Sequence, residues 1–319
     1  MANAEQIKAL IKSHLKNDGE RFVTIALQVA ASEAKQGHKA LARDIRKLID
    51  DRSSTNLKVI SVSRELDDLV IPQEVGRISS SFVVRPDLAG KIDRIVEEFH
   101  HSEKLRKHGL GNRRKILLSG PPGTGKTMTA AVLAEKTGLP FYVVQIDRLI
   151  TKYMGETTAK LRQIFSLIRE RPAVYLFDEF DAIGAQRGME NDVGEMRRVL
   201  NGLLQFIEND DSNSLIVAAT NNLTSLDTAL FRRFSDVLHY EKPTVDEIMA
   251  LVQNRIGTFS GRYSIEAIAD YAFGLSHAEI TQACDDAIKE AILADKEKVT
   301  RNSLMSMLAD KRTSYGPNS

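Results

Sequence analysis

Residues Gly120-Pro121-Pro122-Gly123-Thr124-Gly125-Lys126-Thr127 fill every fixed position of the pattern G-x-x-x-x-G-K-[ST]. Before them, Lys115-Ile116-Leu117-Leu118-Ser119 is a short apolar run that reads as a buried parallel strand. After them, Thr127 to Lys136 is alanine-rich, with Val132 and Leu133, and reads as a helix. In that order the glycines let the backbone wrap a polyphosphate without Cβ clashes, so that successive N–H groups point inward. The positive end of the helix dipole adds to the attraction. Lys126 is expected to reach the outer phosphates, and the Thr127 hydroxyl to bind Mg²⁺. A glycine-proline turn joining a strand to a helix is the plainer reading. The filling of all the fixed positions in this context stands against it.

With 319 residues the chain has room for two or three domains and a sizeable core. Its 44 basic and 43 acidic side chains leave a net charge of +1, which argues against nucleic-acid binding through bulk charge. The single cysteine, Cys284, excludes an internal disulfide framework or a multi-cysteine metal site and suggests a reducing compartment. No run approaches about 18 consecutive apolar residues, so no membrane span is expected. Met1 to Leu10 carries Asn3, Glu5, Gln6 and Lys8 where a signal peptide would be apolar, so the expected location is cytoplasmic.

Residues 1–52 read as two or three short helices. Ile7, Leu10, Ile11 and Leu15 form one stripe, Phe22, Ile25, Ala26 and Val29 a second, and Leu41, Ile45, Leu48 and Ile49 a third. This module is read as a docking or oligomerisation element, or more simply as a structural cap. Residues 53–79 read as a linker in which Leu57 to Val62 could be a short strand, punctuated by Pro72 and Gly76. A helix is expected from about Asp87 to Leu105, followed by a basic, solvated turn from Arg106 to Lys115. Phe141 to Val144, Val174 to Phe177, Leu215 to Ala219 and Val237-Leu238 are further strands, with helices over Lys160 to Arg169 and Gly194 to Ile207. Strands alternating with helices imply an α/β fold: a parallel sheet sandwiched by helices over residues 80–242. After Pro243 the pattern is all helix, giving a lid over 243–319. Thr244-Val245-Asp246-Glu247 and Ser276-His277-Ala278-Glu279 match the capping box at two of its helix starts.

Two more stretches carry chemistry. Val174-Tyr175-Leu176-Phe177-Asp178-Glu179 is an apolar strand ending in adjacent carboxylates, whose side chains should diverge by strand alternation. Asp178 can hold the Mg²⁺ shell and Glu179 can orient and polarise an attacking water. Ala218-Ala219-Thr220-Asn221 ends the next strand, and parallel strands present their carboxyl ends at one ligand-holding edge. Asn221 is there to hydrogen-bond the water or the terminal phosphate.

GPPGTGKT, LFDEFD, AATNN and the pair Arg232-Arg233 in Ala229-Leu230-Phe231-Arg232-Arg233-Phe234 together resemble the AAA family of ring-forming ATPases. The likeness runs from about Ser80 to Lys311, some three-quarters of the chain. It implies a P-loop NTPase-type sheet and ATP with Mg²⁺ as cofactors. Gly120 to Thr127, Met128 and Asp178 would hold nucleotide, with Thr127 and Asp178 at the metal. Glu179 would be catalytic, Asn221 the first sensor, and Arg232 or Arg233 the finger that reaches a neighbouring subunit's site. Lys152-Tyr153-Met154-Gly155-Glu156 resembles the pore loop that grips a polypeptide, though Tyr153 and Met154 also suit a core. Ala185 to Glu195 is a candidate second channel loop. Gly274 to Ile280 is similar to the segment that lies against adenine in the branch of the family without a second-sensor arginine. Ala278 belongs to that segment, and His277 either contacts nucleotide or is a solvated cap. Cys284 reads as core packing.

The expectation is therefore a Mg·ATP-hydrolysing ring, a hexamer, that remodels, unfolds or translocates a protein client. An adaptor would dock on the N-terminal helices, and any peptidase would be a separate chain. Nucleic-acid and membrane partners are not expected. The alternatives are a nucleic-acid-associated loader or transposition-type ATPase, and an ATP-switched scaffold.

Overall fold

A computed structural model describes residues 25, 26, 29, 30, 38, 43, 66, 68–76, 81–149, 154–180, 190–221 and 228–314. The chain divides into two compact units, Met1–Glu65 and Leu66–Ser319. In the first, Ile25, Ala26, Val29 and Ala30 are helical, and Ala26, Val29 and Ala30 are buried. These three follow the i, i+3, i+4 spacing of a helix with one apolar face.

The second unit is built on a mixed sheet. Its strands are β1 (Val70–Gln73), β2 (Lys115–Ser119), β3 (Phe141–Val144), β4 (Val174–Phe177), β5 (Leu215–Thr220) and β6 (Asp236–His239). They lie in the order β1-β3-β4-β5-β2-β6. All neighbours are parallel except β1, which runs antiparallel to β3 with Val70 opposite Val144 and Gln73 opposite Phe141. This strand falls inside the stretch read as a linker. Pro72 is tolerated because β1 is an edge strand, where a missing N–H breaks no ladder.

Helices α1 (Pro86–His100), α2 (Ser102–Lys107) and α3 (Lys126–Thr137) precede β3. Then come α4 (Ile146–Leu149), α5 (Met154–Glu170) and α6 (Glu190–Asn209). Strands β4 and β5 are buried along their whole length, which is why their sequences show no polar alternation. On one sheet face, Ile116, Leu118, Leu176 and Val217 join Leu88, Ile92 and Ile95 of α1 and Ala130 and Leu133 of α3. On the other, Phe165 of α5 stacks on Phe177 of β4 at 6.0 Å and on Phe206 of α6 at 5.2 Å. The chain ends in α7 (Val245–Ile256), α8 (Glu266–Ala272), α9 (His277–Leu293) and α10 (Arg301–Ser314), which share a core of their own. Cys284 lies in that core, and burial pushes its thiol up to about 12. Both capping boxes form: Glu247 N–H donates to Thr244 Oγ1 at 3.3 Å and Glu279 N–H to Ser276 Oγ at 3.3 Å, each with its reciprocal bond. Among the described residues no helix is long and apolar enough to cross a membrane.

Three expectations need correction. The long helix expected over 87–105 is divided at His101 into α1 and α2. Residues 190–195, half of the candidate second channel loop, are helical, while 185–189 lie outside the described residues. The basic run before β2 is no mere solvated turn. Arg113 pairs with Glu98 and, at 3.4 Å, with Asp236. Lys115 donates to the Glu208 carbonyl at 2.6 Å. Arg114 donates to the Asp210 carboxylate at 2.7 Å and to the Asp210 carbonyl at 2.7 Å, and Asp210 is 3% exposed.

Removing only the cation from that pair leaves a buried carboxylate without its countercharge. Arg114→Met should lower unfolding free energy by about 3 kcal/mol, read from urea titration. An unchanged midpoint would show that the pair contributes nothing.

Candidate active site

The phosphate loop connects β2 to α3, and two of its glycines are required by close approach. Gly120 has φ 151°, and a Cβ there would sit 2.2 Å from the Tyr240 carbonyl oxygen just past β6. Gly123 has φ 73°, and a Cβ would sit 2.7 Å from Ser276 Oγ. The Gly123 carbonyl accepts the Ala278 N–H at 3.0 Å, so the first turn of α9 lies directly against the loop.

Lys126 opens α3 and is 7% exposed. Its ammonium donates to the Gly120 carbonyl, the Pro121 carbonyl and Asn221 Oδ1, each at 2.8 Å. Asn221 follows β5, so a single cation bridges the ends of two neighbouring parallel strands. Thr127 Oγ1 donates to Asp178 Oδ2 at 2.9 Å, tying the start of α3 to the tip of β4. Asp178 Oδ1 accepts the Glu179 N–H at 2.9 Å.

Glu179 departs from the expected strand alternation. Its φ of 51° is left-handed, a conformation that costs a non-glycine residue of order 1 kcal/mol. The next residue fixes it there: the Phe180 N–H donates to the Ala219 carbonyl at 2.8 Å, and the Phe180 ring is fully buried. The two carboxylates thus separate by a sharp turn after the strand, and both line one cleft.

That cleft has a volume of about 700 Å³, within the range of small-ligand sites. Pro122, Gly123, Gly125, Lys126, Thr127, Met128, Asp178, Glu179 and Asn221 form one wall, and Phe82 and Val83 contribute apolar surface. From the helical side come Leu251, Asn254 and Arg255 of α7 and His277, Ala278, Thr281, Gln282 and Asp285 of α9. Ser81 to Val83, the α7 residues and Thr281, Gln282 and Asp285 of α9 are absent from the sequence-based set. For the α7 residues the signal is only the i, i+3, i+4 spacing of 251, 254 and 255, which marks a shared helix face but not what that face meets.

His277 is no solvated cap. Neither ring nitrogen is exposed, and neither has a hydrogen-bond partner among the described residues. Burial holds its pKa below the ordinary 6.5, partly opposed by the Glu247 carboxylate, so the ring is neutral at pH 7.

The hydroxyl and carboxylate oxygens of Thr127 and Asp178 are hard donors of the kind Mg²⁺ takes. Among the described residues no group of three or more His, Cys, Asp or Glu side chains is placed to hold a metal ion. A Mg²⁺ at these two oxygens would therefore draw the rest of its shell from phosphate and water, the usual arrangement for this cation beside a triphosphate.

The structure does not bring every candidate to this cleft. Arg232 and Arg233 end a 3₁₀ turn, Thr228–Arg233, and do not line it. Arg232 is exposed, and Arg233 pairs with Glu208 at 3.5 Å. Lys152 and Tyr153 lie outside the described residues, and Met154 opens α5 instead of standing in a loop.

A histidine whose folded pKa is lowered is protonated more readily in the unfolded chain. Its contribution is therefore fully present above pH 6.5 and diminishes as pH falls below 6.5 toward the folded value. In His277→Gln, stability should fall less steeply than in the wild type over that range, measured by thermal unfolding at stepped pH. Parallel slopes would mean that His277 does not titrate with folding.

The family described as "ATPase family associated with various cellular activities (AAA)" matches residues 116–242, from β2 to the segment before α7. An uncharacterized AAA family ATPase of Sinorhizobium fredii is 33% identical over 318 residues, covering 98% of this chain and 96% of the relative. A 26S proteasome regulatory subunit 8 homolog of Encephalitozoon cuniculi is 27% identical over 311 residues, 93% of this chain and 76% of that protein. An ATP-dependent zinc metalloprotease FtsH 2 of Thermoanaerobacter is 29% identical over 236 residues, 70% of this chain but 46% of that protein. With a full-length relative of this kind and a phosphate loop joined to the ends of β4 and β5, the chain belongs to the AAA family of ATPases.

Proposed function

We propose that the chain hydrolyses ATP with Mg²⁺ and, assembled as a hexameric ring, uses the turnover to remodel, unfold or translocate a protein client. The observation that carries this reading is the convergence of Lys126 on Asn221 and of Thr127 on Asp178 at one sheet edge, 2.8 and 2.9 Å apart respectively. A triphosphate against the loop takes the Lys126 ammonium on its outer oxygens in exchange for the carbonyls it now holds. Thr127 and Asp178 would hold Mg²⁺, which when bound would neutralise charge on the phosphate oxygens. Glu179, turned into the cleft by its left-handed backbone, accepts a hydrogen bond from the attacking water and orients it. Asn221, held by Lys126 at the same edge, hydrogen-bonds that water or the terminal phosphate.

Arg232 and Arg233 stand outside their own chain's cleft, and in a ring one of them enters the neighbour's to stabilise charge on the transferring phosphoryl group. Lys152, Tyr153 and Met154 are assigned to client contact, and the N-terminal helices to an adaptor or client. Two relatives support protein handling by their names, a proteasome regulatory subunit homolog and an ATP-dependent protease. If proteolysis follows, a separate peptidase performs it.

Glu179→Gln should keep ATP affinity and lose turnover by about 100-fold or more, read from equilibrium binding and phosphate release. Wild-type turnover in that variant would remove Glu179 from the chemistry. Tyr153→Ala should keep hydrolysis and lose processing of an unfolded polypeptide. Stimulation of the wild type by DNA instead of polypeptide would redirect the reading to a nucleic-acid-associated ATPase.

A further inference from the structure

Helix α9 begins at the phosphate loop, where Ala278 N–H meets the Gly123 carbonyl at 3.0 Å, and it lines the cleft through Thr281 and Gln282 to Asp285. Asp285 lies seven residues beyond Ala278, about 10 Å along the axis at 1.5 Å per residue. Asp285 is gripped by the neighbouring helix: Arg255 Nε donates to one carboxylate oxygen and Arg255 Nη2 to the other at 2.8 Å. Both residues line the cleft, and the Asp285 side chain is 29% exposed.

The pair's chemistry selects what can lie against it. Arg255, neutralised by its partner, is poorly suited to attract phosphate, and a fixed carboxylate repels it. A carboxylate presents about four lone-pair directions, and Arg255 occupies two. The remaining acceptor capacity suits hydroxyl donors held nearby. Phe82, Val83, Met128 and Leu251 give the same cleft an apolar surface for a base.

We propose that Asp285, held in place by Arg255, reads the sugar of a bound ribonucleoside triphosphate by accepting a hydrogen bond from its 2′ or 3′ hydroxyl. This rests on the nucleotide reading of the cleft and deepens it. The protein then discriminates ATP from the analogue that lacks that hydroxyl, with specificity set by a helix pair and not by the phosphate loop.

The test is equilibrium binding of ATP, 2′-deoxyATP and 3′-deoxyATP to the full chain and to Asp285→Ala. A hydrogen bond to a charged group corresponds to roughly tenfold to hundredfold in affinity. At least one deoxy analogue should bind the wild type weaker by that factor. Asp285→Ala should weaken ATP by a similar factor and bind the three nucleotides alike. If the pair only ties α7 to α9, the variant weakens all three equally, which overturns the proposal. Equal binding of all three by the wild type overturns it without any variant, and leaves the nucleotide reading intact. Failure of the wild type to bind any of them removes the nucleotide reading itself. Should Asp285→Ala unfold, Asp285→Asn is measured in its place: a narrowed gap between ATP and the weaker-binding analogue is expected, and an unchanged gap overturns the proposal.

Discussion

The register of three parallel strands sets the geometry of the site. Ser119 of β2 is opposite Thr220 of β5, and Phe177 of β4 is opposite Ala218. Those pairings bring the loop after β2, the carboxylates after β4 and Asn221 after β5 to one edge of the sheet. A slip of one residue in either pair would turn inward-facing side chains to the opposite face. Full burial of β4 and β5 makes such a slip costly, because each side chain is fitted to its own neighbours on its face. The 2.8 and 2.9 Å bonds from Lys126 and Thr127 are consequences of that register.

The helical lid adds a second constraint. Gly123 cannot carry a side chain without striking Ser276, and its carbonyl is already committed to Ala278. Ser276 is also the N-cap of α9, so one residue both starts the helix and meets the loop. The loop and the start of α9 are therefore held against each other through one hydrogen bond and one close contact. His277 sits at this junction with two buried ring nitrogens that have no hydrogen-bond partner among the described residues. Glu179 shows the same economy on the sheet side. A left-handed residue is maintained because Phe180 on its far side is fully buried and bonded to β5.

Much of this was legible from one-dimensional signals because the signals are local. The phosphate loop, the buried strands and both capping boxes depend on residues a few positions apart, and each appears where the pattern puts it. Features that failed to show are those set by distant partners. β1 carries a proline and no clear alternation, and it becomes a strand by pairing with β3. Arg113 and Arg114 look like a solvated basic run until Glu98, Asp236 and Asp210 are brought beside them.

The sequence by itself determined which side chains are candidates for the site. It names the lysine, threonine, carboxylates and asparagine, and it dictates their order along strands that must be parallel because helices separate them. Tertiary structure alone decided how they face one another: the left-handed turn at Glu179, the burial of His277, and the wall that Leu251, Arg255 and Asp285 give the cleft. The physical reason is range. Capping, periodicity and loop chemistry act over three or four residues, whereas the cleft is closed by helices more than a hundred residues from the loop they cover.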